Sequence, residues 1–286
     1  MITTFLFWNL NRKPIQSIIS NLALRHEVDV IMLAECTIPI DKILLALNRS
    51  DGNMYHHAPN SNSSKRIKIF TKFPREFISD VSKQDDLTQD ELEVKDWITI
   101  RHLQFPGTKD ILLSVIHYIS KCSYIDASQD TFSRNLSDWI KKVERRIGHS
   151  RTILVGDLNM SPFQNGIIKA DGLNGTMSQR IARRKWQQIR RDGNKYPFFY
   201  NPMWNLLGDV NSETPGTFYY YNKEPVNLFW YMLDQVLIRP DLLDNFNAHE
   251  LKILTSDGVS SFLSEDGIPD DKVASDHLPL LFKLDL

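Results

Sequence analysis

Apolar runs that stop at a single polar residue recur along this chain, and they set the expectation for its fold. Residues 2–8 are β-branched and aromatic and predict a buried strand, followed directly by Asn9. Residues 14–26, opened by Pro14, are apolar at helical period and predict a helix. A second continuous apolar run, 28–34, ends at Glu35, and residues 39–47 set Ile40, Ile43, Leu44 and Leu47 at helical spacing. Further strands are predicted at 66–71, 97–103, 111–116, 152–155, 235–238 and 278–284, with His117 and Asp157 closing two of these runs. Residues 131–147 put Leu136, Trp139, Ile140, Val143 and Ile147 on one helix face, the pattern of a helix lying on a sheet. Uninterrupted apolar strands alternating with such helices mean sheets covered on both sides. That is an α/β sandwich rather than an open antiparallel sheet. The stretches 60–64, 83–93 and 256–272 have no apolar period and read as surface loops.

Composition adds limits. The 286 residues are 42% apolar and 24% charged, which supplies a core and lacks the bias of disordered chains. No repeat or low-complexity linker interrupts the chain, so residues 1–286 are expected to form a single domain. Two cysteines, Cys36 and Cys122, are too few for a disulfide framework or a cysteine metal cluster, and Cys36 reads as a buried thiol. The first ten residues lack the basic start and cleavage site of a leader, and no run reaches the roughly 18 apolar residues of a membrane helix. The expectation is a cytoplasmic protein with no membrane association.

The net charge of −1 hides one local excess, since residues 180–195 hold seven basic residues against Asp192. Arg180, Arg183, Arg184 and Arg191 fall at roughly helical spacing, so one face can follow a phosphate backbone; a solvated helix face is the plainer alternative. Aromatics crowd the neighbouring interval at 196–204, 218–221 and 229–231. Most are expected in the core, and some are expected to stack on exposed bases. His56 and His57 lack ligand spacing and read as loop residues.

In α/β sheets ligands collect beyond the carboxyl ends of strands, so Asn9, Glu35, His117 and Asp157 are expected in one crevice. Singly, each has a plain reading; Asn9, Asp157 or Asn159 can cap a following helix. A carboxylate placed directly after five apolar residues is harder to set aside, because burying it unpaired is costly. The segments Trp8-Asn9-Leu10-Asn11, Leu33-Ala34-Glu35, Ile116-His117-Tyr118, Gly156-Asp157-Leu158-Asn159, Leu233-Asp234-Gln235-Val236-Leu237 and Ser275-Asp276-His277 occur in this order over nearly the whole chain. Together they resemble the endonuclease/exonuclease/phosphatase family.

The resemblance implies a four-layer α-β-β-α sandwich of two mixed or antiparallel sheets flanked by helices. It also implies a metal-dependent phosphoesterase. Glu35 and Asp276, with Asn9 beside them, offer a sparse set of hard oxygens that suits Mg²⁺, with Mn²⁺ as a substitute; the resemblance makes Glu35 the principal ligand. By the same resemblance Asp234 orients His277 for phosphate contact or general-base work, Asp157 orients or deprotonates the attacking water, Asn159 donates to phosphoryl oxygens, and His117 as a cation stabilises the phosphorane or protonates the leaving alkoxide. His117 stands where the family's apurinic-site enzymes have tyrosine and its deoxyribonuclease-like members have histidine. Asn11, Tyr118, Arg180, Arg183, Arg184 and Arg191 complete the expected substrate-binding set. The leading expectation is a nuclease cutting DNA or RNA to leave 5′-phosphate and 3′-hydroxyl ends. A phosphomonoesterase or lipid-headgroup phosphodiesterase is the alternative, although no exposed apolar hairpin stands out in the sequence. A catalytically silent binding module is the third reading.

Overall fold

The computed structural model describes residues 1–49, 54–60, 66–82, 94, 96–118, 126–185, 187–189, 193–223, 225 and 227–286. The first half of the chain forms β1 (Ile2–Asn9), α1 (Gln16–Arg25), β2 (Val30–Ala34), α2 (Ile40–Leu47), β3 (His56–Ala58), β4 (Ile67–Thr71), β5 (Ile78–Asp80), β6 (Ile98–Leu103), β7 (Ile111–His117) and α3 (Asp126–Ile147). The second half adds β8 (Thr152–Asp157), α4 (Asn165–Ile168), β9 (Gly175–Thr176), α5 (Gln179–Lys185), β10 (Gln187–Ile189), β11 (Lys195–Pro197) and β12 (Phe199–Tyr200). It closes with β13 (Phe218–Tyr219), β14 (Trp230–Tyr231), β15 (Asp234–Ile238), β16 (Lys252–Ile253) and β17 (Leu280–Asp285).

These strands make two large sheets, in the orders β16-β17-β1-β2-β4-β3 and β5-β6-β7-β8-β15-β12-β9, besides the two-stranded pairs β10-β11 and β13-β14. Each large sheet is built around a parallel pair, β1 with β2 and β7 with β8, flanked by antiparallel neighbours. The sheets face each other, β1 against β8 and both β2 and β4 against β7. One buried cluster fills the space between them, from Phe5, Phe7 and Met32 to Leu113, Val155 and Val236. Ile19, Leu22, Ile43 and Leu47 of α1 and α2 join it, which accounts for β1 and β2 being buried on both faces. A second cluster seats Leu136, Trp139, Ile140 and Val143 of α3 on Ile100, Leu112, Ile116 and Leu154. Each such side chain contributes about 1.5–3 kcal/mol by leaving water. The layers therefore run α-β-β-α.

The long predicted strands appear within a residue or two of their expected ends, and α3 starts five residues ahead of the predicted 131. Several readings need correcting. His56 and His57 lie in β3, paired to Thr71 and Phe70, not in a loop. The basic segment is not one helix, because α5 stops at Lys185 and the chain turns back through β10 and β11 with Gly193 at φ +80°. The stretch 256–272 holds neither helix nor strand among its residues, yet Phe262 is fully buried beside Trp8, ring centroids 5.2 Å apart. Residues 61–64 and 83–93, Cys122 and Arg191 lie outside the described residues. Among the described residues no helix is long and apolar enough to cross a membrane.

Candidate active site

Strand order places the polar strand ends in two facing rows. Along the first sheet, His277 precedes β17, Asn9 ends β1, Glu35 follows β2 and Arg66 precedes β4. Along the second, Asp234 begins β15, Asp157 ends β8, His117 ends β7 and Trp97 precedes β6. Neighbouring strands are about 4.8 Å apart, so both rows have the same step and their members meet in pairs. His277 Nδ1 lies 2.8 Å from Asp234 Oδ2. Asn9 Nδ2 donates to Asp157 Oδ2 at 2.9 Å. His117 Nε2 lies 3.2 Å from Glu35 Oε1, and the Arg66 guanidinium carbon lies 3.9 Å above the Trp97 ring. Adjacent rungs also touch: Asp157 Oδ2 is 3.8 Å from His117 Nε2 and 4.0 Å from His277 Nε2.

Local bonds hold the rows in place. Trp8 Nε1 donates to the His277 carbonyl at 2.8 Å and Ser275 Oγ donates to the Asn9 carbonyl at 2.8 Å, tying the first strand to the last. Asp157 Oδ1 accepts the Asn159 amide at 2.8 Å, and Asn159 Nδ2 donates to the Tyr118 carbonyl at 3.0 Å. Thr217 Oγ1 accepts the Asp234 amide at 3.1 Å, while the Gln235 side chain bridges Asn201 and the Met232 carbonyl. Gly156 lies so close to β7 that a Cβ there would stand 1.9 Å from the Ile116 carbonyl oxygen. Non-glycine residues with left-handed backbone concentrate here, with Asn11 at φ +42°, Arg12 at +62°, Glu35 at +46° and Asn159 at +47°. Such conformations cost about 1–3 kcal/mol each and are kept where the surroundings enforce them, often at functional sites.

Charge is balanced within the cluster. Burial alone would strip the His277 ring of its proton, but Asp234, Asp157 and Asp276 outweigh it and push its pKa up to about 10. A hydrogen bond from His117 holds the Glu35 carboxyl below the usual range against its partial burial, with Arg12 and His277 acting in the same direction. Ligand atoms of Asp157, Asp234 and His277 lie within 4.8 Å of one another, a set able to hold a metal ion. Asp234 Oδ2 is taken by His277 Nδ1, while Asp234 Oδ1 is buried without a hydrogen-bond partner among the described residues. Nearer the solvent are the Glu35 carboxylate, a quarter exposed, and the half-buried Asp276, whose Oδ1 accepts from Ser275 Oγ at 3.3 Å. Both offer the hard carboxylate oxygens that a divalent cation keeping most of its waters takes. The amide of Asn9 is engaged on both atoms, its Oδ1 accepting from the Asn11 amide at 3.0 Å, so it serves to hold Asp157.

Not every expected residue reaches this cleft. Tyr118 is fully buried, with its hydroxyl 2.6 Å from the Gln129 carbonyl and from Ser133 Oγ, so it faces α3 rather than a substrate. Arg183 is paired with Asp244 and donates to the Leu243 carbonyl at 3.1 Å. Those residues follow the end of β15 opposite to Asp234, roughly 13 Å of strand away. Arg180 and Arg184 are exposed on α5, which packs on β9 and β12 at the sheet edge and not on the two rows. In their place stand groups the pattern did not single out. Arg12, Cys36, Thr37 and Arg66 line a cleft of about 190 Å³ with Glu35 and His117. On the opposite side, the Phe218 ring lies 4.7 Å from that of His277. The β13-β14 hairpin behind it exposes Tyr220, Tyr221, Leu228 and Phe229, an apolar hairpin that the sequence had not revealed. Phe229 is accordingly not a core residue and Trp230 is only partly buried against the core, whereas Phe199 and Tyr200 are buried. A larger cavity of about 360 Å³, bordered by Arg25, Glu213 and Lys252, contains none of the clustered groups.

No protein-family model matches the chain, and no curated protein sequence does. Solved structures do. An endonuclease/exonuclease/phosphatase family protein from Leptotrichia buccalis is 14% identical, with a TM-score of 0.58 over 99% of this chain and 100% of that one. An AP endonuclease from Archaeoglobus fulgidus is 15% identical, with a TM-score of 0.54 over 99% and 100%. D. rerio TDP2 complexed with a single-strand DNA product is 11% identical, with a TM-score of 0.53 over 100% and 99%. Likeness of this extent at such low identity establishes architecture, and the chain thus has the fold of the endonuclease/exonuclease/phosphatase proteins.

Proposed function

We propose that this protein is a divalent-metal-dependent phosphodiester hydrolase acting on nucleic acid. The observation that carries the reading is the paired set His277–Asp234, Asn9–Asp157 and Glu35–His117, drawn from six strand ends and joined by contacts of 2.8 to 3.2 Å. Glu35 and Asp276 would hold the cation, Mg²⁺ or in its place Mn²⁺, which when bound supplies Lewis-acid polarisation of a phosphoryl oxygen. Asp157 is fixed through both oxygens by Asn9 and Asn159, which suits it to orient a water and take its proton. His277, kept as imidazolium by Asp234, donates from Nε2 to a non-bridging oxygen and balances charge as it builds. Its pairing with Asp234 suits His277 to phosphate contact. The second Nδ2 proton of Asn159 is directed to the same phosphoryl group. Water attack in line forms one O–P bond as its proton passes to Asp157 and breaks the bond to the 3′ oxygen, which takes a proton from solvent water, giving 5′-phosphate and 3′-hydroxyl ends.

The nucleic-acid assignment is supported by the nature of the structural neighbours, one of which carries a DNA product. Single- and double-stranded DNA and RNA, each incubated with Mg²⁺ or EDTA, test it. Cleavage of at least one polymer in Mg²⁺ and of none in EDTA is expected; intact polymers throughout would refute the reading.

A second reading draws on the β13-β14 hairpin, since exposed tyrosine and phenylalanine beside a catalytic cleft also suit a lipid interface. It predicts hydrolysis of a lipid headgroup diester in vesicles, abolished by Tyr221→Ala together with Phe229→Ala, with no cleavage of nucleic acid.

A further inference from the structure

Four rungs cross between the two sheets, and the proposed chemistry uses three. The fourth, Arg66 over Trp97, lies one strand beyond Glu35–His117 in both sheets. Its arginine has no carboxylate partner among the described residues. Stacking on an indole face fixes a guanidinium while leaving its in-plane N–H donors free, which is the geometry for a bidentate phosphate contact. The Trp97 ring is in turn 6.3 Å from the His117 ring, and the Arg66 carbonyl accepts the Glu35 amide at 3.1 Å. The rung is therefore tied on both sides to residues of the proposed centre.

Arg12 reaches the same cleft from the other direction. Two successive left-handed residues, Asn11 and Arg12, bend the chain so that the Arg12 amide donates to the Glu35 carbonyl at 3.0 Å. Its Nε comes only within 3.6 Å of Glu35 Oε2, and its side chain is 76% exposed. Two exposed guanidinium groups thus line one cleft with a single carboxylate, Glu35, a local excess of positive charge. A cation held by Glu35 would deepen that excess. His277, which serves the scissile group in the proposed chemistry, lies at the opposite end of the row, three strands from Arg66. These arginines are consequently spaced for a different phosphate from the one being cut.

We infer that Arg12 and Arg66 form a subsite for a second phosphate of the same substrate. The strand would run along the row from His277 toward Arg66, and the preferred substrate is a polynucleotide with a phosphate on the nucleotide flanking the scissile bond. This rests on the hydrolase reading for the identity of the scissile end, but the subsite itself is a matter of binding.

The test is binding of a fluorescein-labelled single-stranded DNA oligonucleotide to the full chain over a range of KCl, in an Asp157→Asn background that suppresses turnover. Arg66→Ala is expected to lower affinity about tenfold and to reduce the slope of log affinity against log salt by about one. Arg66→Lys, which keeps the charge and loses the planar stack, is expected to recover the slope and only part of the affinity. Wild-type affinity and slope in Arg66→Ala, with an unchanged circular dichroism spectrum, would overturn the subsite; so would failure of the parent protein to bind the oligonucleotide. An inositol polyphosphate that binds through Arg66 where DNA does not would overturn the polynucleotide assignment. If cleavage assays are negative while binding depends on Arg66, the hydrolase reading falls and the subsite stands. Cleavage with binding indifferent to Arg66 reverses that outcome.

Discussion

His277 is a buried histidine that three aspartates keep charged, and its protonation is coupled to folding. Its pKa is raised from 6.5 to about 10 in the folded chain, so the folded state binds a proton more tightly than the unfolded one. The stabilisation is fully present below pH 6.5 and is lost as pH rises through about 10. In urea unfolding with EDTA, the stability gap between the wild type and His277→Gln is predicted to be widest at or below pH 6.5 and to narrow toward pH 10. A gap that does not change with pH would show that the Asp234 partnership does not hold the proton. At this scale the sequence was informative about residue type and strand position, since Asn9, Glu35, His117 and Asp157 all stand where apolar runs end. It was silent about partners. That Asn9 holds Asp157, and that His117 meets Glu35, depends on which strand faces which across the sandwich.

Among the elements, β8 carries the tightest constraint. At Gly156 a Cβ would stand 1.9 Å from the Ile116 carbonyl oxygen, nearer than any side chain tolerates, and the residue directly precedes Asp157. Gly156→Ala is predicted to cost about 1–3 kcal/mol of stability in denaturant unfolding and to displace Asp157 enough to lower activity in the protein that still folds. The short helix α5 supplies the opposite case. Arg183→Ala removes an ion pair with exposed Asp244, far along β15 from Asp234, so stability should fall by less than about 1 kcal/mol. DNA affinity should not change; a drop in the salt slope would restore the basic segment to the binding surface. Long strands were readable as apolar runs, and amphipathic helices because eight or more residues keep one period. The two- and three-residue strands were not, because tertiary neighbours rather than local pattern decide them. For the same reason helical spacing misled at residues 180–191, where a reversal at Gly193 breaks the period.

At the level of the whole molecule, the site exists only because the two sheets close on each other. Its members run from Asn9 to His277, and the Trp8 and Ser275 hydrogen bonds knot the first strand to the last. The layered architecture could be anticipated from apolar runs alternating with helices. The two facing rows of strand ends could not, since sequence fixes neither strand order nor the register between sheets. The central claim is that these rows form one hydrolytic centre, and Asp157→Asn tests it most directly because the amide keeps the shape while removing the charge and one of the two acceptors that Asn9 and Asn159 address. Cleavage of an oligonucleotide by wild type and Asp157→Asn should be followed side by side in Mg²⁺ and in EDTA. The prediction is Mg²⁺-dependent cleavage in the wild type and a rate lower by about 10²–10⁴-fold in the variant, with its fold retained. Equal rates for the two proteins, or cleavage that survives EDTA, would contradict it.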